Sequence, residues 1–272
     1  MGRVLIGRIT YDHRFAISPD ATRLAFDVTG DGHPLLLLHG GGGSRLEWHT
    51  GGYIEHLRDA FTVITMDLRG HGESDKPNDP SMYTTDKMGD DIIAVANACN
   101  AENFLLCGFS FGGNISRYLA SHSDRISKLV MLGNRLGPGV SGQFRQFVFD
   151  FRERWEPAVR SARGGKFDPE SLSKKDQEDL RQLSFPGESL PRVLAWSTAM
   201  LDWGTVTPKD LLCPTLWLIG TENDKALESY REYETEIPHS KVQVHLLEGL
   251  NHEQEFEDIE QVLPVIHAFL KA

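Results

Sequence analysis

Gly108-Phe109-Ser110-Phe111-Gly112-Gly113 decides how this chain reads. It closes an apolar run, Phe104 to Phe109, that suits a buried strand, and it opens a helical stretch, Phe111 to Ser121. In that context a G-x-S-x-G string carries meaning. A sharp strand-to-helix turn strains the serine backbone and presents its hydroxyl above the sheet. Glycines on both sides are required because side chains there would meet neighbouring backbone. The helix that starts at Phe111 aims its N–H groups and the positive end of its dipole at the same point. Ser110 is the candidate nucleophile.

Outward from this turn, short apolar runs alternate with longer amphipathic ones. Arg8 to Val28 reads as two strands around Ser18-Pro19-Asp20, followed by strands at Leu35–Leu38, Phe61–Met66, Phe104–Phe109, Lys128–Leu132, Thr215–Ile219 and Val242–Leu247. Helices are expected over Asp86–Asn100, Phe111–Ser121, Ala226–Glu236 and Ile259–Leu270. This alternation predicts an α/β fold with a mostly parallel sheet flanked by helices. Residues 135–210 break the rhythm. They contain no good strand, many aromatics, and 12 basic against 11 acidic residues. They read as a helical lid inserted into a core formed by residues 1–134 and 211–272. Its tryptophans Trp155, Trp196 and Trp203, together with Gly42, are candidate pocket residues for an apolar or aromatic substrate.

A serine needs a base within hydrogen-bond reach. Of eleven histidines, His252 stands best, on the loop after the last strand, where open α/β sheets build their sites. His39 and His71 sit among glycines, His245 lies within a strand, and His122 and His267 lie on helices. The base in turn needs a carboxylate to fix its tautomer and stabilise the imidazolium. The strand at Thr215 ends in Gly220-Thr221-Glu222-Asn223-Asp224. Asp224 is the expected acid and Glu222 the alternative. Two N–H donors for a developing oxyanion, worth about 3–4 kcal/mol each, are expected from Phe111 and from Gly41 in the loop His39-Gly40-Gly41-Gly42-Gly43. Attack requires the neutral imidazole, so a histidine base implies a rate that falls below pH of about 6 to 7.

Taken together, these residues resemble the α/β-hydrolase superfamily in its lidded serine-hydrolase branch. The string Asp67-Leu68-Arg69-Gly70-His71-Gly72-Glu73-Ser74-Asp75 is very specific for that branch, where it forms a structural loop beside the site. The resemblance implies an eight-stranded, mostly parallel sheet whose second strand is antiparallel, with a cap between strands six and seven. It implies a Ser110–His252–Asp224 hydrolase of esters or lactones working through an acyl-enzyme. Hydrolysis of a carbon–carbon bond in a vinylogous diketone, and slow-turnover reception of a small molecule, are the alternatives. A serine rather than an aspartate at the elbow disfavours haloalkane dehalogenases and epoxide hydrolases. In related chains the acid stands three residues after the glycine that ends its strand. Here Asn223 holds that place and Asp224 follows it.

Composition narrows the rest. The 272 residues carry 28 Lys and Arg against 39 Asp and Glu, a net charge of −11. Without a basic cluster this is a poor nucleic-acid binder. Three scattered cysteines suit neither a disulfide scaffold nor a zinc site, and Cys107 reads as a buried, inert thiol. No apolar run approaches the ~20 residues of a membrane span. The opening MGRVLIGRIT has no signal core and carries Ile6 where a myristoylation signal needs Ser or Thr. A cytoplasmic enzyme acting on a small molecule, with no metal or cofactor, is the expectation; nothing signals an oligomeric state. Ser171-Leu172-Ser173-Lys174 reads as helix capping, and Asn114-Ile115-Ser116 as packed helix.

Overall fold

A run of four leucines, Leu35 to Leu38, has apolar side chains for both faces of one strand, and both faces are covered. The computed structural model describes residues 2–6, 9–161, 167–181 and 189–272. Arg8, at the start of the first expected strand, and residues 162–166 and 182–188 of the expected insertion lie outside the described residues. The strands of the main sheet, which excludes the two-residue strands Gly137–Pro138 and Thr205–Val206, are β1 (Gly2–Ile6), β2 (Ile9–Ile17), β3 (Arg23–Thr29), β4 (His33–Leu38), β5 (Phe61–Met66), β6 (Phe104–Phe109), β7 (Ile126–Leu132), β8 (Thr215–Gly220) and β9 (Val242–Leu247). Their order is β1-β2-β3-β5-β4-β6-β7-β8-β9. The pairs among β1, β2, β3 and β5 are antiparallel, and all others are parallel. Strands β2 to β9 form the eight-stranded sheet of an α/β-hydrolase fold, with β3 as its antiparallel second strand. Strand β1 adds an edge hairpin that the sequence reading did not anticipate.

The chain divides into two compact units. The first holds the sheet and α1 (Leu46–Thr50), α2 (Tyr53–Leu57), α3 (Thr85–Ala98), α4 (Ser110–His122), α8 (Asp224–Tyr233), α9 (Gln254–Glu257) and α10 (Ile259–Lys271). The second, residues 76–84 and 138–204, holds α5 (Gly142–Arg160), α6 (Lys174–Arg181) and α7 (Leu190–Ala199). Most of it lies in sequence between β7 and β8, with a short piece taken from before α3.

In the first unit alternate strand residues face alternate sides, as the two-residue period requires. Leu35, Leu37, Leu105, Cys107, Val130, Leu132, Leu216 and Leu218 join one core with Trp48, Tyr53, Leu57, Val262 and Ile266 from α1, α2 and α10. Burial pushes the Cys107 thiol up to about 12, which keeps it protonated and inert. Along α3, Met88, Ile92, Val95 and Ala96 are buried, the spacing of a helix with one face inward.

Charge is also buried, and it is paired. Asp67 accepts from the backbone N–H of Arg45 at 2.7 Å and of Glu73 at 2.8 Å, and from the Arg45 guanidinium. Arg45 Nε donates to Asp27 at 2.7 Å. Gly72 is obligatory because a Cβ there would run into the Asp67 carboxylate. Arg69 is fully buried and grips Asp91 with two bonds of 2.6 Å and Asp20 with one of 2.8 Å. The Asp67–Asp75 string is therefore a structural loop, held by ions that would be costly to leave unpaired.

Asp20 shows the balance of forces. Burial works against its charge, but hydrogen bonds from Arg69 and Thr22 outweigh it and hold the carboxyl at about 2. A depressed acid supplies stability above its unfolded range, near 4, and loses it as pH falls through the folded value. Asp20→Asn should lower the urea midpoint near pH 6, and the gap to wild type should close between pH of about 4 and 2. A gap of constant size across that range would contradict this reading.

Candidate functional site: a serine and a histidine above the sheet

Strand β6 becomes helix α4 within one residue. Ser110 makes that turn with φ of +50°, a region most side chains avoid. The flanking glycines explain how. A Cβ on Gly108 would sit 2.6 Å from Gly113 N, and one on Gly112 would sit 2.6 Å from the carbonyl oxygens of both Leu38 and His39. Gly112 N–H instead donates to His39 O at 3.1 Å. His39 itself is structural. Its Nε2 accepts from Leu68 N–H at 3.1 Å, so Nδ1 carries the proton and donates to Gly40 O at 2.7 Å.

His252 arrives from the loop after β9. That loop is tied to the loop after β8 by Thr221 N–H to Leu247 O at 2.9 Å and Glu222 N–H to Leu250 O at 3.0 Å. Asn251 then starts a helical turn. Its Oδ1 accepts from Glu253 and Gln254 N–H, while Gln254 Oε1 accepts from Asn251 N–H at 3.0 Å, the reciprocal arrangement of a capping box. The Phe109 ring stacks on His252 with centroids 5.2 Å apart. The outcome is a Ser110 Oγ to His252 Nε2 distance of 3.0 Å, within reach for proton transfer.

The expected acid is not there. Asp224 is exposed on the first turn of α8, and no hydrogen bond or ion pair joins it to His252; Glu222 is exposed as well. The helix register explains this, because Asn223 is the N-cap, its side chain accepting from Ala226 N–H at 3.2 Å. The residue after an N-cap starts the helix and points away from the strand end. What faces His252 Nδ1 is Asn223 Nδ2 at 3.4 Å and Glu255 Oε2 at 3.6 Å. Sequence reasoning passed over Glu255. The signal was its spacing, since residues i and i+3 share a helix face and Glu255 stands three after His252.

Beside the serine and histidine lies a cavity of about 500 Å³ lined by Gly40, Gly41, Glu47, Phe109, Ser110, His252 and their neighbours. Gly41, the expected second N–H donor, is among its lining residues. Gly42 is not among the lining residues; it turns the loop with φ of +78°, closed by Gly43 N–H to Gly40 O at 3.2 Å. Phe111 follows Ser110 in the first turn of α4 and is buried. Glu47, Glu253 and Glu257 also line the cavity, and this lining holds no lysine or arginine. Burial pushes the Glu47 carboxyl up, opposed by a Ser44 N–H bond and reinforced by the Asp67 charge.

Trp155, Trp196 and Trp203 are buried in the second unit and are not among the residues lining this cavity. Along α5 the rings of Phe144, Phe147, Phe151 and Trp155 succeed one another at 6.1–6.5 Å. Trp196 borders a small apolar cavity with Phe144, Phe147 and Phe151. Trp203 Nε1 donates to Tyr83 O at 2.9 Å, and Arg145 donates to Leu201 O at 3.0 Å. Phe151, Trp155, Trp196 and Trp203 are buried, whereas Phe147 is exposed. Among the described residues no group of three or more His, Cys, Asp or Glu is arranged to hold a metal, and no helix is long and apolar enough to cross a membrane.

The family model for the alpha/beta hydrolase fold matches residues 33–257. The chain belongs to that family. An AB hydrolase superfamily protein, YisY, from Bacillus subtilis is 38% identical over 107 residues, 38% of this chain and 38% of that protein. A 2-hydroxymuconate semialdehyde hydrolase from Pseudomonas is 34% identical over 108 residues, 39% of this chain and 38% of that one. Such matches span little more than a third of those relatives. A thermophilic esterase from Thermogutta terrifontis superposes over 96% of this α/β hydrolase and 98% of its own chain, with a TM-score of 0.71 and 26% identity.

Because Asp224 is exposed and apart from His252, Asp224→Asn should leave kcat/KM within about twofold of wild type, the range of surface substitutions. A loss of a hundredfold or more in steady-state assays would return Asp224 to the site.

Proposed function

We propose that this α/β hydrolase is a serine hydrolase that cleaves a small ester or lactone through an acyl-enzyme. The observation that carries the reading is the 3.0 Å contact between Ser110 Oγ and His252 Nε2, with the serine on a strained turn that opens on the cavity. As Ser110 Oγ bonds to the substrate carbonyl carbon, its proton passes to His252 Nε2 and the carbonyl electrons move onto oxygen. Backbone N–H groups of Gly41 and Phe111 receive that oxyanion at the start of α4. The oxyanion collapses, the bond to the leaving group breaks, and that group takes the proton from Nε2. Water then attacks the acyl-enzyme, giving its proton to His252, and Ser110 departs with that proton.

The same serine and histidine chemistry also serves carbon–carbon hydrolysis. The acidic lining supports the ester reading for neutral or cationic substrates, since Glu47, Glu253 and Glu257 repel an anionic one.

Steady release of p-nitrophenol from the acetate and butyrate esters is expected, abolished by Ser110→Ala. An ester with a carboxylate on its acyl chain should react more slowly, and Glu47→Gln should narrow that difference. A single burst equal to the enzyme concentration would favour a slow-turnover receptor. Release undiminished by Ser110→Ala would refute the serine mechanism.

A further inference from the structure

We infer that Glu255 is the positioning acid of this site: its carboxylate, carried on the same helical turn as the base, orients His252 and compensates the imidazolium. The inference rests on Ser110 and His252 acting as nucleophile and base.

The tautomer makes the first argument. If Nε2 is to take the Ser110 proton, the proton of the neutral ring sits on Nδ1, and Nδ1–H needs an acceptor. Two groups face it, Asn223 Nδ2 at 3.4 Å and Glu255 Oε2 at 3.6 Å. The Asn223 amide cannot turn over. Its Oδ1 accepts from Ala226 N–H at 3.2 Å, and its Nδ2 donates to Glu255 Oε2 at 2.8 Å. It therefore shows Nδ1 a donor. The acceptor is Glu255, now at ion-pair distance, in a class of contacts that often tighten only with substrate bound.

Burial makes the second. Glu255 is 0% exposed. One carboxylate oxygen accepts from Gly220 N–H and the other from Asn223. Both donors are neutral, and a buried acid is best held where a positive partner can meet it. His252 is the group at ion-pair distance.

The third argument is the socket. Gly133 follows β7 and Gly220 ends the adjacent β8. A Cβ at Gly133 would lie 2.9 Å from Glu255 Oε2, and one at Gly220 would lie 3.1 Å from Glu255 Cγ. Two neighbouring strand ends are thus bare of side chain where this carboxylate enters between them. It fills the place beside the base that the strand ends leave without a carboxylate, since they offer Asn134 after β7 and Asn223 after β8.

The test compares wild type, Glu255→Gln and Asn223→Asp/Glu255→Gln in pH profiles of p-nitrophenyl ester hydrolysis, with thermal melting to check folding. Glu47, Glu253 and Glu257, the other ionisable groups of the cavity, stay constant throughout. Glu255→Gln should cut kcat by about 10²- to 10⁴-fold, with KM changed only a few fold. It should also move the acid limb of the profile to lower pH, because a carboxylate near the ring favours imidazolium. The double variant, with a carboxylate restored at residue 223, should regain at least about tenfold in kcat and return the limb. A kcat within about threefold of wild type and an unmoved limb would overturn the inference. Should Glu255→Gln not fold, nitrogen NMR of the wild-type His252 ring decides. Nδ1 protonated at neutral pH is expected; Nδ1 unprotonated, accepting from Asn223, would overturn it. Loss of activity in Glu255→Gln alongside undiminished activity in Ser110→Ala would strike the underlying reading of the serine instead.

Discussion

The close approach of α4 to the end of β4 constrains everything else about the site. Gly112 passes so near the carbonyls of Leu38 and His39 that no side chain fits. That contact forces the chain to turn at Ser110 with positive φ. It also sets the loop Gly40 to Gly43 beside the serine, because that loop is the direct continuation of β4. Ser110 and the Gly40 to Gly43 loop are thereby placed by one backbone contact between the start of α4 and the end of β4. The cavity lies beside this turn, with Gly40, Gly41, Glu47, Ser110, His252 and Phe256 among its lining residues.

Keeping those loops in place requires more than glycine. The loop after β4 leads into Arg45, which bonds to Asp67 and Asp27, and the loop after β5 is pinned through Asp67 to Glu73 N–H. His39 links the same two loops by accepting from Leu68 N–H. Buried ion pairs contribute modestly to net stability, because desolvation offsets much of the attraction. Their directionality is the gain here. A guanidinium with fixed donors, set between fixed carboxylates, leaves each loop one conformation.

Strong periodic patterns were the legible part of the chain. Leu35 to Leu38 and Phe104 to Phe109 fall where spacing put them, and of the expected helix face Met88, Ile92, Ile93, Val95 and Ala96 all but the partly exposed Ile93 are buried. The serine turn was legible because its glycines answer a steric demand that any reader of the sequence can apply. Strand β1 was not: it is a five-residue run at the sheet edge, and Gly2-Arg3-Val4-Leu5-Ile6 shows no strict alternation of polar and apolar residues. The aromatics of residues 135–210 suggest a substrate cover, and Trp155, Trp196 and Trp203 among them are buried. Composition gives an apolar surface without saying what it will bury. Asp224 lies away from His252 for a different reason. Asp224 is one residue past Asn223, and a helix cap turns that single step into a change of direction.

The position of Glu255 follows from what a histidine base demands of its surroundings. The requirement is a carboxylate oxygen at one point in space, between the ends of β7 and β8, and not a carboxylate at one point in the chain. Three segments reach that point. The end of β7 supplies Asn134, whose side chain accepts from Arg135 N–H and whose carbonyl accepts from Trp217 Nε1 at 2.9 Å. The end of β8 supplies Asn223, whose amide is divided between the helix cap and Glu255. The turn after β9 supplies Glu255, and that turn is already fixed by the capping box that places His252. Coupling acid and base on one turn leaves their spacing to helix geometry rather than to the packing of two loops. The cost is that the carboxylate must cross from its own segment into the strand ends, and Gly133 and Gly220 leave the opening it needs.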